Sequence, residues 1–408
     1  MNLYKIALRN ISRNKKRTTS TILSISIAII VAIFLRSLQE GSYKSMIDES
    51  IGQTFGYLQI QNKDYFDDKT IDNAMEFSPE LLENINSINT IKAVTPHIES
   101  GALASSGSSS KPVMVMSFYP RDKDSTMINH MKIISGHILS KNDDGVLLSD
   151  ELAKYLKLNT GDTLILIGQG YQGLSAAGLF PVRGTIHSPN IQINNKLIYM
   201  SVLGMQNWLA LPDNLVNYIA INISDQDKLL SIQKALTKKL VDTDYIIKNW
   251  KEINPDIARA IEGDRKGGIA IIYLLYLIVF FGLLGTMLMT INERRREFSV
   301  NIAIGMRKSQ IKLILLIEMI ASSLIGIVLA LIIDIPIILY LTFHPITFTG
   351  NMAAAFTKLG YTPVMPGDGL FPYTWQQIII VLLMVILSVF ISYRKINKIR
   401  ISDSLHIQ

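Results

Sequence analysis

The chain contains no cysteine, which excludes a disulfide framework, a thiol nucleophile and a thiolate metal site. Histidine is scarce. The six present, His97, His130, His137, His187, His344 and His406, show no paired helical spacing and no H-E-x-x-H, so a zinc-hydrolase site lacks its ligands. No G-x-x-x-x-G-K-[ST] stretch occurs, and nothing in the chain can wrap ATP phosphates in a P-loop. G-x-S-x-G is missing as well, which removes the commonest hydrolase signal. Gly168, Gly170 and Gly173 superficially suggest a dinucleotide loop. No helix start follows them, and they read as a turn between two strands.

What the chain has is apolar length. Of its 408 residues, 49% are hydrophobic, and a mean hydropathy of +0.28 is high for a soluble protein. Residues 268–291 carry no charged side chain. Roughly 14 Leu, Ile, Val and Phe residues there favour insertion by about 4 to 8 kcal/mol. Residues 18–38, 311–343 and 375–393 are the other candidate spans, since about 20 predominantly apolar residues cross a bilayer. At about 1.5 Å per residue the third, 311–343, is roughly 50 Å long and must tilt, kink or project. Pro336 supplies a reason for a kink. The first span has a signal peptide's basic flank in Lys15, Lys16 and Arg17. Arg36, Gln39 and Glu40 stand where a small-residue cleavage site belongs, so an uncleaved anchor is expected.

Charge sets the expected orientation. Residues 1–17 hold Lys5, Arg9, Arg13, Lys15, Lys16 and Arg17 with no acid. Residues 292–310 hold Arg294, Arg295, Arg296, Arg307 and Lys308, and residues 394–408 hold Arg394, Lys395, Lys398 and Arg400. With four spans all three segments share one side, and the positive-inside rule makes it the cytoplasm. Residues 36–266 carry 23 basic and 27 acidic side chains, leaving the excess of the overall +7 on the rest of the chain. The basic balance therefore reports topology, and nucleic-acid binding is not expected.

Residues 39–266 change texture to short β-type runs separated by capped helices. Strands are expected at 57–61, 112–118, 163–168, 181–186, 192–200 and 218–223. Helices are expected to start at Ser78, Ser149 and Asp225. Residues 101–110, rich in Ser, Gly and Ala, read as an exposed loop, and 169–180 as a short connector. Segments 36–51 and 253–266 look helical and would extend the first two spans outward, although Gly41 interrupts the apolar face and leaves a frayed linker open. The expected fold class is a membrane protein with four transmembrane α-helices and a large mixed α/β extracytoplasmic domain between the first and second. Residues 344–374 form a further outer loop.

Two acids fall in the third span. Glu318 lies about 10 Å deep, and Asp334 roughly 35 Å along, near or beyond the outer surface. At the bilayer centre either would cost about 2.5 to 3.5 kcal/mol. Glu318 either makes a buried contact that sets helix packing or snorkels to the head groups. The loop 293–310 reads E-R-R-R-E-F-S-V-N-I-A-I-G-M-R-K-S-Q. Phe298, Val300, Ile302, Ile304 and Met306 are too many apolar residues for a short solvated loop, so they are expected to rest against the bilayer or a partner.

That loop resembles the coupling region of the FtsX/MacB/LolC-LolE family of ABC transporter permeases, with Glu293, Arg294, Glu297, Ala303, Gly305, Ile311 and Glu318 at the matching places. Ser299 stands where the family has glycine, and Ile302 where a basic residue is common. A-L-R-N-I-S-R-N-K-K-R-T from Ala7 is similar to the family's pre-span segment. S-G-H-I-L from Ser135, G-V-L-L-S-D-E-L-A from Gly145 and L-K-L-N-T-G-D-T-L from Leu156 resemble its periplasmic core domain. D-S-L at 403–405 faintly echoes its ending.

The resemblance implies a non-enzymatic permease of the bacterial inner membrane with both termini cytoplasmic. It implies a homo- or heterodimer bound to two copies of a separate ATPase that holds ATP and Mg. ATPase coupling is then expected at Glu293, Arg294, Glu297, Phe298, Val300, Ala303, Ile304, Gly305 and Met306. The expected work is lipoprotein release or export of an amphipathic substrate, with a periplasmic lipoprotein or carrier as partner. The alternative is a scaffold that activates a cell-wall hydrolase or a sensor. A membrane enzyme with an outer active site is a third class.

Overall fold

The computed structural model describes residues 3–52, 55–88, 90–118, 132–188, 191–241, 243–358, 363–368 and 371–397. His130, His406 and the 403–405 tripeptide lie outside the described residues. The chain divides into two units: Met1–Lys44, Ala260–Thr347 and Val364–Gln408 form one, Ser45–Arg259 and Phe348–Pro363 the other.

The first unit is mostly helical. Lying wholly or mainly in it are α1 (Leu3–Arg13), α2 (Lys15–Ile47), α3 (Pro255–Glu293), α4 (Arg295–Ala303), α5 (Lys308–Phe343) and α6 (Phe371–Asn397). α2, α3, α5 and α6 are long and apolar enough to cross a membrane. Their cores follow helical spacing. α6 buries Val381, Val385, Ser388, Val389 and Ser392 along one stripe, and both serines bond back to carbonyls of their own helix, which keeps a hydroxyl affordable in an apolar setting. α2 buries Ile25, Ile29, Ala32 and Ile33. Its Ser26 hydroxyl donates to the Gly326 carbonyl of α5 at 2.9 Å, the kind of interhelical bond expected where small residues bring backbones together.

Gly41 does not fray α2, which runs unbroken to Ile47 and then widens into a π-turn at Asp48–Gly52. The residue is needed for proximity, because a Cβ there would fall 2.0 Å from the Pro366 carbonyl oxygen. Likewise α3 begins at Pro255, where a missing N–H costs nothing. Pro336 is carried inside the continuous α5.

Asp334 departs from expectation. It is fully buried rather than at the outer surface. Both its carboxylate oxygens lack a hydrogen-bond partner among the described residues. The length count placed it along the helix correctly but could not see that neighbouring helices enclose that turn. A buried acid without a partner is a cost. Asp334→Leu should therefore raise the thermal midpoint of the detergent-solubilised chain, by up to about 2.5 to 3.5 kcal/mol of stability. A lowered midpoint would show that the carboxylate has a stabilising partner.

The second unit is mixed α/β. A four-stranded antiparallel sheet has the order β13 (Tyr245–Asn249), β1 (Leu58–Asn62), β12 (Tyr218–Ile223), β3 (Ile91–His97). A larger mixed sheet has the order β6 (Lys132–Gly136), β9 (Ser175–His187), β7 (Val146–Ser149), β10 (Leu197–Ser201), β5 (Ser110–Phe118), β4 (Glu99–Ser105), β8 (Thr163–Gln169). β2 (Met75–Glu76) and β11 (Leu215–Val216) make a short extra pair. β9 is long enough to pair with β7 through its second half and with β8 through its first. That double pairing closes β9, β7, β10, β5, β4 and β8 into a ring, with β6 paired to β9 alone.

Three expectations are corrected here. Residues 101–110 are a loop only at 106–109: residues 101–105 belong to β4, which forms a hairpin with β5, Leu103 opposite Pro112 and Ser105 opposite Ser110. Small side chains gave no alternation to read, and backbone pairing on both sides of β4 makes the strand. Residues 175–180 belong to β9, so the connector shrinks to the turn around Tyr171–Gly173. The run 192–200 splits into a helical turn, Ile191–Asn194, before β10. Ser78 caps its helix by accepting from the Leu81 N–H at 3.2 Å, whereas Ser149 stands at the cap position with no side-chain cap bond. Asp225 caps the short 3₁₀ turn Gln226–Lys228, which leads into the helix Leu229–Lys239.

His97 ends β3 in this unit, stacked on Tyr218 of β12 with ring centroids 5.3 Å apart. Its Nδ1 has no hydrogen-bond partner among the described residues. Burial holds its pKa down to about 4. The unfolded chain binds that proton below about pH 6.5, so acid favours unfolding. The stability carried by neutral His97 is complete above pH 6.5 and is lost as pH falls toward 4, about 3 kcal/mol in all. Asp143 acts lower. Burial alone would raise it, but the Arg183 guanidinium and the Gly145 N–H hold it below its ordinary value, so its contribution is lost only beneath the usual carboxylate range. His97→Phe should flatten the stability slope between pH 6.5 and 4, read by hydrogen exchange of β3 and β12 in the full chain. An unchanged slope would assign the acid sensitivity elsewhere.

Candidate functional site

α3 and α4 are separated by Arg294 alone. At that break the arginine side chain turns inward instead of outward into water. Its Nη1 donates to both oxygens of Glu318 on α5, at 3.1 and 2.9 Å. Its Nε donates to Glu297 at 3.0 Å, and its guanidinium lies 5.0 Å from the Phe298 ring centroid. The side chains of Arg294 and Glu318 are only 9% and 10% exposed. A buried pair is tolerable only when its remaining hydrogen-bonding capacity is used. α1 supplies that: Asn10 Nδ2 donates to Glu318 Oε1 at 2.6 Å.

Of the two readings of Glu318, the buried contact holds. The carboxylate does not reach for the head groups, because a cation and an amide come to it. A polar cavity of about 30 Å³ beside it, lined by Asn10, Thr290, Glu318 and Ser322 among others, has room for a water. Two outer pairs extend the seat, Arg13 to Glu297 at 2.7 Å and Arg17 to Glu293 at 3.3 Å. Both are exposed and add orientation more than stability.

The expected site residues therefore separate into two groups. Arg294 and Phe298 face inward, together with Ser299. Glu293 and Glu297 sit between, reaching back to α1 and α2. Val300, Ala303, Ile304 and Gly305 face outward, with Val300 44% and Ile304 80% exposed. Met306 is half-buried and packs toward the membrane-unit core together with Ile302. Gly305 turns the chain from α4 to α5 at φ +102°, a conformation that side-chain-bearing residues rarely adopt. A cleft of about 490 Å³ lies beside this surface, between α1 and α4, lined by Ile6, Arg13, Arg296, Val300, Asn301 and Ile314 among others.

Asn10 and Arg13 as partners of this loop were not expected from spacing. The only signal was the amphipathic pattern of residues 3–13, with Ala7 and Asn10 on its inner stripe. Among the described residues no group of three or more histidines, aspartates and glutamates is arranged to hold a metal. Arg13, Arg17 and Arg294 are each paired with a carboxylate. The arrangement suits holding a short helix rigidly and presenting an apolar tip.

Two family models match the chain. The MacB-like periplasmic core domain covers residues 18–239, and the FtsX-like permease C-terminal model covers residues 269–403. Among curated proteins, the macrolide export ATP-binding/permease protein MacB of Aggregatibacter actinomycetemcomitans is 25% identical over 345 residues, 80% of this chain and 51% of that one. The lipoprotein-releasing system transmembrane protein LolC of Xylella fastidiosa is 21% identical over 245 residues, 58% of each. The chain thus spans about half the length of the curated relatives it matches. Among solved structures, the periplasmic region of MacB from Actinobacillus actinomycetemcomitans matches with a TM-score of 0.34 at 16% identity, over 52% of this chain and 98% of that one.

Proposed function

The chain belongs to the FtsX/MacB/LolC family of ABC transporter permeases, and from that premise we propose that it relays the ATP-driven motion of a separate ATPase subunit to its outer domain. One observation carries the reading. An apolar tip, Val300, Ala303 and Ile304, is held out from the molecule by a helix whose other face is locked to the membrane helices through Arg294 and Glu318. An exposed apolar patch on a rigid mount is what a docking partner needs. ATP and Mg bind the partner, whose movement displaces α4 and with it α3.

In this reading two such permeases and two ATPases make the working assembly. The loop 292–310 and both termini face the cytoplasm of a bacterial inner membrane, and the second unit faces the periplasm. The cargo is a lipoprotein or another amphipathic substrate. Supporting that class, the β8–β9 hairpin and the neighbouring β4 carry Leu103, Ile167 and Leu179 on one side, each 41 to 69% exposed. Such a face can hold the apolar part of a cargo or its carrier.

The test is purification of the tagged full chain from its native membrane in mild detergent. Recovery of a P-loop ATPase, together with ATP hydrolysis in the eluate, is expected. No ATPase in the eluate would overturn the proposal. A lipoprotein or soluble carrier in the same eluate supports transport, whereas a cell-wall amidase or histidine kinase would replace the cargo assignment with a regulatory one. Orientation has its own check, which the absence of native cysteine makes clean: a cysteine placed at Arg296 should resist an impermeant thiol reagent added outside.

A further inference from the structure

At the outer end of the membrane unit, α2, α3 and the approach to α6 converge on one buried carboxylate. Glu40 is 3% exposed. It accepts from Arg265 of α3 at 2.9 Å through Nε and 2.7 Å through Nη2, and it pairs with Arg36 one turn earlier on α2 at 2.8 Å. Around it, Gln39 donates to the Asp264 carbonyl at 3.2 Å and the Tyr43 hydroxyl donates to the Asp264 carboxylate. The Arg36 guanidinium lies 5.1 Å from the Tyr373 ring centroid of α6. Lys44 pairs with Asp368 at 2.9 Å. Gly268 of α3 is so close to the Gln39 amide that a Cβ there would meet it at 2.2 Å.

Below this cluster the same two helices are held differently. In its most apolar stretch only 17% of α3 is buried, against 56% for α2. Ile271, Leu274, Ile278 and Phe281 are each more than half exposed. Apolar packing in lipid is non-directional, and without a solvent driving force it resists sliding weakly. A bidentate guanidinium–carboxylate fork fixes distance and rotation together. α3 is one rod of about 58 Å, ending one residue before α4. A push on α4 therefore enters α3 at its inner end, and on the far side directional ties return it to α2 around Glu40.

We propose that Glu40 and Arg265 form the joint of the relay: they are positioning residues that lock α3 to α2, so that movement of α4 is delivered to the outer ends of both helices together. The proposal rests on the reading of α4 as the ATPase-coupling element, and its test separates the two. Paramagnetic labels on Ser42→Cys and Gly263→Cys report the α2–α3 separation in the full chain, reconstituted in nanodiscs with the ATPase that co-purifies with it. With Glu40 and Arg265 intact, the distance distribution should stay narrow and unshifted when ATP is added.

In Arg265→Lys, which keeps the charge and loses the fork, and in Glu40→Gln, the distribution should broaden and shift with ATP. Retention of the ATPase on beads should be unchanged in both. Arg265→Lys guards against simple misfolding, since it leaves Glu40 a cationic partner. Distributions as narrow in both variants as in the parent, with ATPase bound, would overturn the joint. Failure of the parent chain itself to retain an ATPase would overturn the underlying reading instead.

Discussion

Glu318→Ala should release α4 from the membrane helices. The substitution leaves Arg294, with a side chain 9% exposed, without its main carboxylate, and it deprives the Asn10 amide of its acceptor. Breaking a buried pair from one side typically costs about 3 to 5 kcal/mol, because the remaining charge stays desolvated. α4 has only nine residues, too few to persist as a helix without tertiary support. The amides of Arg295–Ala303 should therefore lose most of their protection from hydrogen exchange, and ATPase retention should fall with it. Arg294→Met combined with Glu318→Met removes both charges and keeps the volume, so it should recover most of the lost protection. Protection in Glu318→Ala equal to that of the parent would mean that the ion pair does not seat α4. A double variant as damaged as the single would mean that charge itself, not seating, is what the site requires.

The membrane helices were legible because their signal is summed over many residues. Twenty apolar side chains outweigh any single misreading, and basic flanks mark their ends. The apolar content of the 293–310 stretch was legible for the opposite reason: Phe298, Val300, Ile304 and Met306 violate the usual polarity of a short loop. What spacing could not convey was direction. Phe298 and Ile304 are both apolar in the same short stretch, yet one is 2% exposed and the other 80%. That difference comes from α1 and α5 meeting one face of α4, more than 280 positions upstream for Arg13 and 24 downstream for Glu318. Asp334 failed similarly, since enclosure by other helices leaves no trace in its own segment. In the second unit, β4 was hidden because Gly101, Ala102 and Ser105 carry no alternation, and its strand character comes from its two neighbours.

The largest effect on partner binding should come from the outward group. Ile304 touches almost nothing in its own chain, so Ile304→Asp places a charge where an apolar contact is expected without disturbing the fold. Ala303→Glu acts at the adjoining exposed position. An anchor that acts as an interface hot spot is worth about 2 kcal/mol or more, so ATPase retention should weaken by roughly 30-fold or beyond in each variant. The thermal midpoint should stay that of the parent, because neither side chain is buried.

Gly305→Trp behaves differently. Open space surrounds the position, but φ +102° strains any side chain, at about 1 to 3 kcal/mol. It should lose both ATPase binding and some order in the α4–α5 turn. Gly305→Ala, carrying the strain with little added bulk, isolates the second effect. If Ala303→Glu, Ile304→Asp and Gly305→Trp all retain the ATPase, the apolar tip is not the docking surface. The comparison that decides how the tip works is between Ile304→Asp and Glu318→Ala. The first removes the contact and leaves the mount, the second removes the mount and leaves the contact. Equal loss of ATPase in both, with α4 protection lost only in the second, is what a rigidly presented tip requires.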